Sequence, residues 1–234
     1  MSTCVIHRVT RLDMRVVDWR WPFAEDRRSE IDAHFAASRA EKPELFNGSI
    51  LLARNPVFTR DGFAADYFHT DFASFLAWRD WGFPDRDVFN GFGAGALRSS
   101  DGAFLLGEMG AQTANAGQLY FPAGTPDPDD VRGDSLDIAG SIAREVEEET
   151  GIRPADYRGA AHWDCVVADA LTAMIRLLDV DLGGEALRDR IAANIARQAR
   201  PELAGVRLAR GAHDLTPAVP LYVRAYLERV AAMA

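Results

Sequence analysis

The chain has 234 residues, 48% of them apolar and 26% charged, with a formal net charge of −9. This length suffices for one globular unit that buries on the order of 70% of its extended-chain surface, and the composition excludes disorder along the whole chain. The acidic balance opposes gripping a nucleic-acid polymer, whose partners carry basic stripes that displace counterions, but leaves room for a single nucleotide held through a metal ion.

Val5 to Val17 alternates in the manner of a strand, and Trp19 to Phe23 forms an aromatic cluster suited to a lid or, more ordinarily, a core. Arg27 to Glu41 has helical periodicity, with Ile31, Phe35 and Ala36 on one face and Pro43 as the stop. Phe46-Asn47-Gly48 turns the chain into a strand from Ser49 to Arg54. Phe63 to His69 forms another, and Asp71 caps a helix from Phe72 to about Trp81. Phe92 to Arg98 and Ala103 to Glu108 predict a hairpin around Asp101-Gly102, whose residues supply the positive φ angles of a tight turn. The glycines of Gly91-Phe92-Gly93-Ala94-Gly95 precede no helix start, so they fit a strand approached by another backbone better than a phosphate loop.

Gln118 to Phe121 makes a third strand leading toward Gly124. Downstream, Ala160 to Ala168 and Leu171 to Val180 are apolar enough for two more. Glu185 to Arg200 carries Leu187, Ile191 and Ile195 at helical spacing, and Pro201 starts a turn into Val206 to Ala209. Pro217 to Ala234 closes the chain as a helix expected to dock through Leu221, Ala225 and Leu227. Cys4 and Cys165 are too few for a disulfide framework and lack zinc-ligand spacing. No stretch approaches the ~18 apolar residues of a membrane span, and Met1 to Arg11 lacks the apolar core of a signal peptide, so a cytoplasmic location away from membranes is the expectation.

The most informative stretch runs from Arg144 to Ile152. Ile138, Ile142 and Val146 recur every four residues, Ser135 is placed to cap the start, and Gly151 supplies the stop. On that helix Glu145, Glu148 and Glu149 share one face, while Glu147 points elsewhere as a solvated residue. Like charges at this spacing cost roughly 0.2–0.5 kcal/mol a pair, and anions near the negative end of the helix dipole lose a further ~0.3–1 kcal/mol each. A hard divalent cation reverses that balance, because Mg2+ takes carboxylate oxygens together with substrate phosphates. A merely solvated acidic face is the plain alternative.

Arg144-Glu145-Val146-Glu147-Glu148-Glu149-Thr150-Gly151-Ile152 resembles the signature of the Nudix hydrolases, Arg-Glu-aliphatic-x-Glu-Glu-x-Gly-aliphatic, at every defined position. Gly124 in Phe121-Pro122-Ala123-Gly124-Thr125 corresponds to the signature's upstream Gly, but lies further from Arg144 than the pattern allows, which implies a loop insertion within Pro126 to Asp134. Counting back from Arg144, the upstream Glu of the signature is replaced by Leu136, with Asp137 one step away. Leu45-Phe46-Asn47-Gly48 before a strand is similar to the N-terminal part of Nudix enzymes that cleave UDP-sugars.

The resemblance implies an α/β fold, a Nudix-like α/β/α sandwich with a mixed β-sheet and an N-terminal α+β elaboration. As one domain it would comprise the elaboration at 1–90, the core at 91–180 and a C-terminal helical part at 181–234. It also implies metal-dependent hydrolysis of a diphosphate linkage between a nucleoside and another moiety X, with a nucleotide sugar as the first candidate. The metal, Mg2+ or Mn2+, would be held by Glu148 and Glu149, with Glu145 as ligand or general base. The backbone carbonyl of Ala123 or Gly124 would complete the shell, and Arg144 would orient the carboxylates. A downstream carboxylate assists in many relatives, and Asp164, Glu202 and Asp214 are all available. His162 and His213 are further residues that a site could recruit, although a lone His more often has a structural role. Trp78, Trp81, Phe83 and Phe89 offer aromatic faces that would stack a base or, in the ordinary case, fill a core. Many relatives are dimers, so a homodimer is a further expectation. An inactive Nudix-like nucleotide sensor is the alternative function, to which the altered upstream half of the signature lends support.

Overall fold

The computed structural model describes residues 4–232. The expected first strand divides at Thr10 into β1 (Val5–Val9) and β2 (Arg11–Val16), followed by α1 (Pro22–Asp26) and α2 (Arg28–Glu41). Next come β3 (Ser49–Phe58), β4 (Gly62–Asp71) and α3 (Phe72–Asp80). β3 and β4 run antiparallel and bulge between Arg54 and Val57, where Asn55 adopts φ 52°, a conformation that Asn tolerates better than most residues. Parallel pairing of β2 with β4 makes this part of the sheet mixed.

Successive residues of β3 enter different cores. Leu51 and Ala53 join the main apolar core, while Ile50 and Leu52 join a second one with Trp21, Ile31, Phe68 and Trp78. A strand buried on both faces reads as an unbroken apolar run, which is how Ile50 to Ala53 is written. The aromatic cluster around Trp21 is therefore core, not a lid. The Trp21 Nε1–H donates to Asp85 Oδ2 at 2.8 Å and Trp78 Nε1–H to the Asp85 carbonyl at 2.9 Å. Asp71 caps α3 as expected, accepting from the Ser74 amide at 2.8 Å. Within α2, Ile31 is fully buried, but Ala36 is exposed, because a methyl group offers less apolar area than the Phe35 ring beside it.

β5 (Val88–Arg98) is the long strand that joins the two cores, and β6 (Phe104–Met109), β7 (Leu119–Tyr120) and β8 (Ala123–Gly124) follow. The expected hairpin shrinks to one rung, Arg98 opposite Phe104. Beyond that rung one edge of β5 is taken by β3 and β8, so β6 leaves to pair with β7. Of the turn residues only Gly102 has a positive φ, so the turn is not the two-residue type that Asp-Gly suggests. The insertion then forms a 3-10 turn (Pro128–Asp130), β9 (Val131–Arg132) and β10 (Ser135–Leu136), and β10 pairs with β2.

α4 (Ile138–Thr150) is the acidic helix. Its cap is Asp137, which accepts from the Gly140 amide at 2.9 Å, not Ser135, which is engaged in β10. Gly151 ends it at φ 71°, the left-handed conformation that a glycine adopts without strain.

The remaining elements are β11 (Tyr157–Gly159), β12 (Trp163–Ala168), β13 (Leu171–Val180), α5 (Gly184–Ile195), β14 (Leu203–Ala209) and α6 (Leu221–Ala231). β13 runs parallel to β5 and antiparallel to β12, β1 pairs antiparallel with β12, and β14 pairs with β6. α5 stops at Ile195, short of the expected Arg200. α6 buries Tyr222, Val223, Tyr226 and Leu227 and leaves Leu221 largely exposed, since the tyrosine rings bury more area than the leucine expected in their place. The closing residues of that expected helix, 233–234, lie outside the described residues.

Alternating side chains of β5 place helices on both sides of the sheet. A Cβ on Gly93 or Gly95 would sit 2.7 Å from Ile142 Cγ1 or 2.6 Å from Val146 Cγ2 of α4, while Phe92 on the other face meets Tyr222 of α6 edge-on at 5.6 Å. The fold is thus an α/β/α sandwich around a mixed sheet, with an α+β elaboration at the N-terminal side. The glycines make room for helix side chains, where an approaching backbone was expected. No disulfide forms. Cys165 is buried in β12, where burial pushes its thiol up to about 12, and Cys4 is half-buried. Among the described residues no helix is long and apolar enough to cross a membrane.

Candidate active site

α4 owes its position to one apolar stripe, Ile138, Ile142 and Val146, pressed into the glycine-lined face of β5. The rest of the helix wheel follows from that docking: Glu149 is driven inside at 5% exposure, Glu145 is mostly covered, and Glu148 stays open to solvent. β8 passes over the same helix face. The Ala123 amide donates to the Glu149 carboxylate, and a Cβ on Gly124 would lie 2.5 Å from Glu145 Oε1. Any side chain at position 124 would displace Glu145, which accounts for glycine there.

Burial first, then the neighbouring carboxylates Glu148, Glu202 and Asp130, pushes Glu145 up to about 7 against the opposing charge of Arg144. Glu149 is raised well above its usual range, by burial and then by Glu202 and Glu145. Glu202 enters from the turn before β14. Its pKa is raised by crowding from neighbouring atoms and by Glu148, an effect moderated by the water that reaches its exposed surface. Tyr120, buried nearby and held by Asn115 at 3.3 Å, feels the charges of Glu149, Glu202 and Glu145.

Arg144 is the cation among these groups. One guanidinium nitrogen, Nη1, lies 2.9 Å from Glu145 Oε1 and 3.8 Å from Glu148, and the other, Nη2, donates to both oxygens of Asp130 at 3.0 and 3.1 Å. Burial works against its charge, yet the Asp130 hydrogen bond and the surrounding carboxylates raise its pKa overall.

The three downstream acids separate clearly. Asp164 is committed to the Arg8 fork, with bonds of 2.9 and 3.0 Å, and Asp214 caps its own turn by accepting from the Arg210 and Gly211 amides. Glu202 is the one that acts on the acidic helix. His162 lies 3.8 Å from Asp164 and His213 3.4 Å from Asp214, each beside an acid outside the α4 cluster. Trp78 and Phe89 are buried, and Trp81 and Phe83 pack against the second core, so these aromatics are structural. Sequence reasoning missed Asp130, which lies in the insertion with no periodic signal. A separate cavity of about 520 Å3 opens between Arg98, Phe104, Val180 and α6 residues Leu227 and Val230, and none of the α4 carboxylates lines it.

Among the described residues no three His, Cys, Asp or Glu side chains are gathered closely enough to hold a metal by themselves. The donor chemistry nevertheless fits a hard divalent cation. Buried, mutually repelling carboxylates face a backbone loop with one arginine for compensation, and Mg2+ needs only one or two such ligands beside water and phosphate.

No family model and no curated protein matches the chain. Among solved structures it is similar to a Nudix hydrolase from M. Smegmatis, RenU, at 15% identity, covering 62% of this chain and 88% of that one, with a TM-score of 0.41. It is similar also to the MutT protein from Methanosarcina mazei Go1, at 20% identity over 62% and 94%, TM-score 0.36. The E. coli ORF135 protein is a third, at 18% identity over 62% and 91%, TM-score 0.35.

Proposed function

We propose that the chain is a Nudix-type hydrolase that uses Mg2+ or Mn2+ to cleave the diphosphate linkage of a nucleoside diphosphate joined to a moiety X, with a nucleotide sugar as the first candidate. The observation that carries this reading is the α4 cluster: Glu149 buried and Glu145 mostly covered beside Gly124, with the exposed Glu202 and a single arginine next to them, an arrangement that costs stability unless a cation joins it.

Glu148 and Glu149, with the Ala123 or Gly124 carbonyl, are assigned as metal-holding groups, and the bound ion would spread the charge of the phosphoryl oxygens. Arg144 holds the Glu145 carboxylate in one orientation. Glu145 then receives the proton of an attacking water as the new P–O bond forms and the bridging P–O bond breaks, with the bridging oxygen leaving on the departing phosphate. Glu202 adds a negative wall that orients the same water. Positioning and electrostatics carry the rate.

The test is phosphate-ester release from a panel of diphosphate compounds with and without Mg2+ or Mn2+, comparing wild type with Glu148→Gln. Metal-dependent turnover lost in the variant is expected. Nucleotide binding without turnover on any compound would favour the second reading, an inactive sensor, which the altered upstream half of the acidic-helix motif supports.

A further inference from the structure

The insertion that separates Gly124 from Arg144 ends its first turn at Asp130, a carboxylate with only 3% of its surface exposed. Asp130 Oδ2 accepts from the Ser141 hydroxyl at 3.1 Å and from the Asp127 amide at 3.2 Å, and its backbone carbonyl accepts from the Asp137 amide at 2.9 Å. Its two oxygens also receive Arg144 Nη2. The insertion is itself anchored to the N-terminal elaboration: the Leu51 amide donates to the Pro126 carbonyl at 2.7 Å, the Val16 amide to the Asp134 carbonyl at 2.8 Å, and Ser135 pairs with Arg15. Leu136 and Asp137, the residues nearest the signature's missing acid, are spent on core packing and on capping α4.

From this geometry we infer that Asp130 is a positioning residue, which fixes the Arg144 guanidinium from the insertion side so that its other nitrogen aims the Glu145 carboxylate. The arginine fork is divided between the insertion, where Nη2 bonds Asp130 and lies 3.6 Å from Asp127, and α4, where Nη1 faces Glu145 and Glu148, so its plane cannot rotate toward Glu145 without breaking the Asp130 bonds. A planar guanidinium transmits orientation in a way that a lysine ammonium would not. In this arrangement the N-terminal elaboration braces the site through the insertion, although it contributes none of the acids of α4. The inference rests on the hydrolase reading above.

The test uses the full chain and a kinetic double-mutant cycle. Asp130→Asn is expected to lower kcat about 10–100-fold, the range for groups that orient a metal-site residue, while KM for the diphosphate compound stays within about twofold. Mn2+ alone, followed by electron paramagnetic resonance, supplies a readout independent of turnover, with affinity expected to fall about tenfold. In an Arg144→Lys background, adding Asp130→Asn should change kcat by less than about twofold, because the path from Asp130 to Glu145 is already cut. If Asp130→Asn melts below the assay temperature, Ser141→Ala removes one bond from the same carboxylate and keeps its charge, and a smaller loss of kcat at constant KM is expected.

Wild-type kcat and Mn2+ affinity in Asp130→Asn, or an equal loss of kcat in both backgrounds, would overturn the inference while leaving the hydrolase reading intact. A wild type that neither binds Mn2+ nor turns over any diphosphate would overturn both.

Discussion

Glu149 illustrates how a single side chain can be placed against its own stability. It is almost wholly buried, is repelled by Glu202 and Glu145, and keeps one backbone donor from Ala123. Its folded pKa lies above the ordinary 4.5, so the penalty for its charge is absent below that value and grows as pH rises. Glu149→Gln, whose amide oxygen can still accept from Ala123, should therefore raise metal-free stability by about 0.5–2 kcal/mol near neutral pH. The gain should shrink as pH falls toward 4.5, and thermal melts across that range check both the sign and the trend. A variant no more stable than wild type at neutral pH would mean that the buried group is better compensated than its burial and carboxylate neighbours indicate. Legibility at this scale depended on sequence distance. Glu145, Glu148 and Glu149 announce a shared face because their spacing matches one helix. Asp164, Glu202 and Asp214 were indistinguishable, since what separates them is the Arg8 fork, the turn before β14 and a local cap, all settled by partners elsewhere in space. Asp130 was invisible for the same reason, fourteen residues from the arginine it holds and in a segment without period.

At the scale of elements, the contact between α4 and β5 decides where the carboxylates stand. Gly95 leaves no room for even a methyl group, because its Cβ would meet Val146 Cγ2 at 2.6 Å and Leu178 Cδ1 at 2.9 Å. Both are buried side chains in tight packing. Gly95→Ala should cost about 1–3 kcal/mol as α4 is pushed outward. Val146→Ala in the same chain should recover part of that loss, and denaturant titration of the two single variants and the double variant measures the coupling. Strict additivity would mean that α4 is not seated by this glycine. The helix itself was readable from Ile138, Ile142, Val146 and Gly151. How far β5 and β6 pair was not, because Asp101-Gly102 signals a turn but carries no information about β3 and β8, which take the edge of β5 beyond the first rung.

For the whole molecule, β3 binds the parts together. Ile50 and Leu52 belong to the second core and Leu51 and Ala53 to the main core, and Ala53 and Arg54 pair with β5. Neither core can open without stripping a face from the other. One cooperative unfolding transition is expected, with calorimetric and van't Hoff enthalpies in agreement. Two resolved transitions in a calorimetric scan would show that the N-terminal elaboration melts by itself. The two-core arrangement was legible only in outline, since Ile50 to Ala53 reads as an apolar run whatever lies on either side of it.

The same arrangement gives the chain a chemical clock. Cys165 sits in β12 between His7 of β1 and Met174 of β13, fully covered and with its thiol held far from ionising at neutral pH. A thiol-directed reagent reaches it only when the sheet comes apart, whereas Cys4, half-buried near the chain start, reacts ahead of it. The ratio of the two labelling rates thus counts the molecules that have opened. It does so at a fixed pH, without altering a residue of the site.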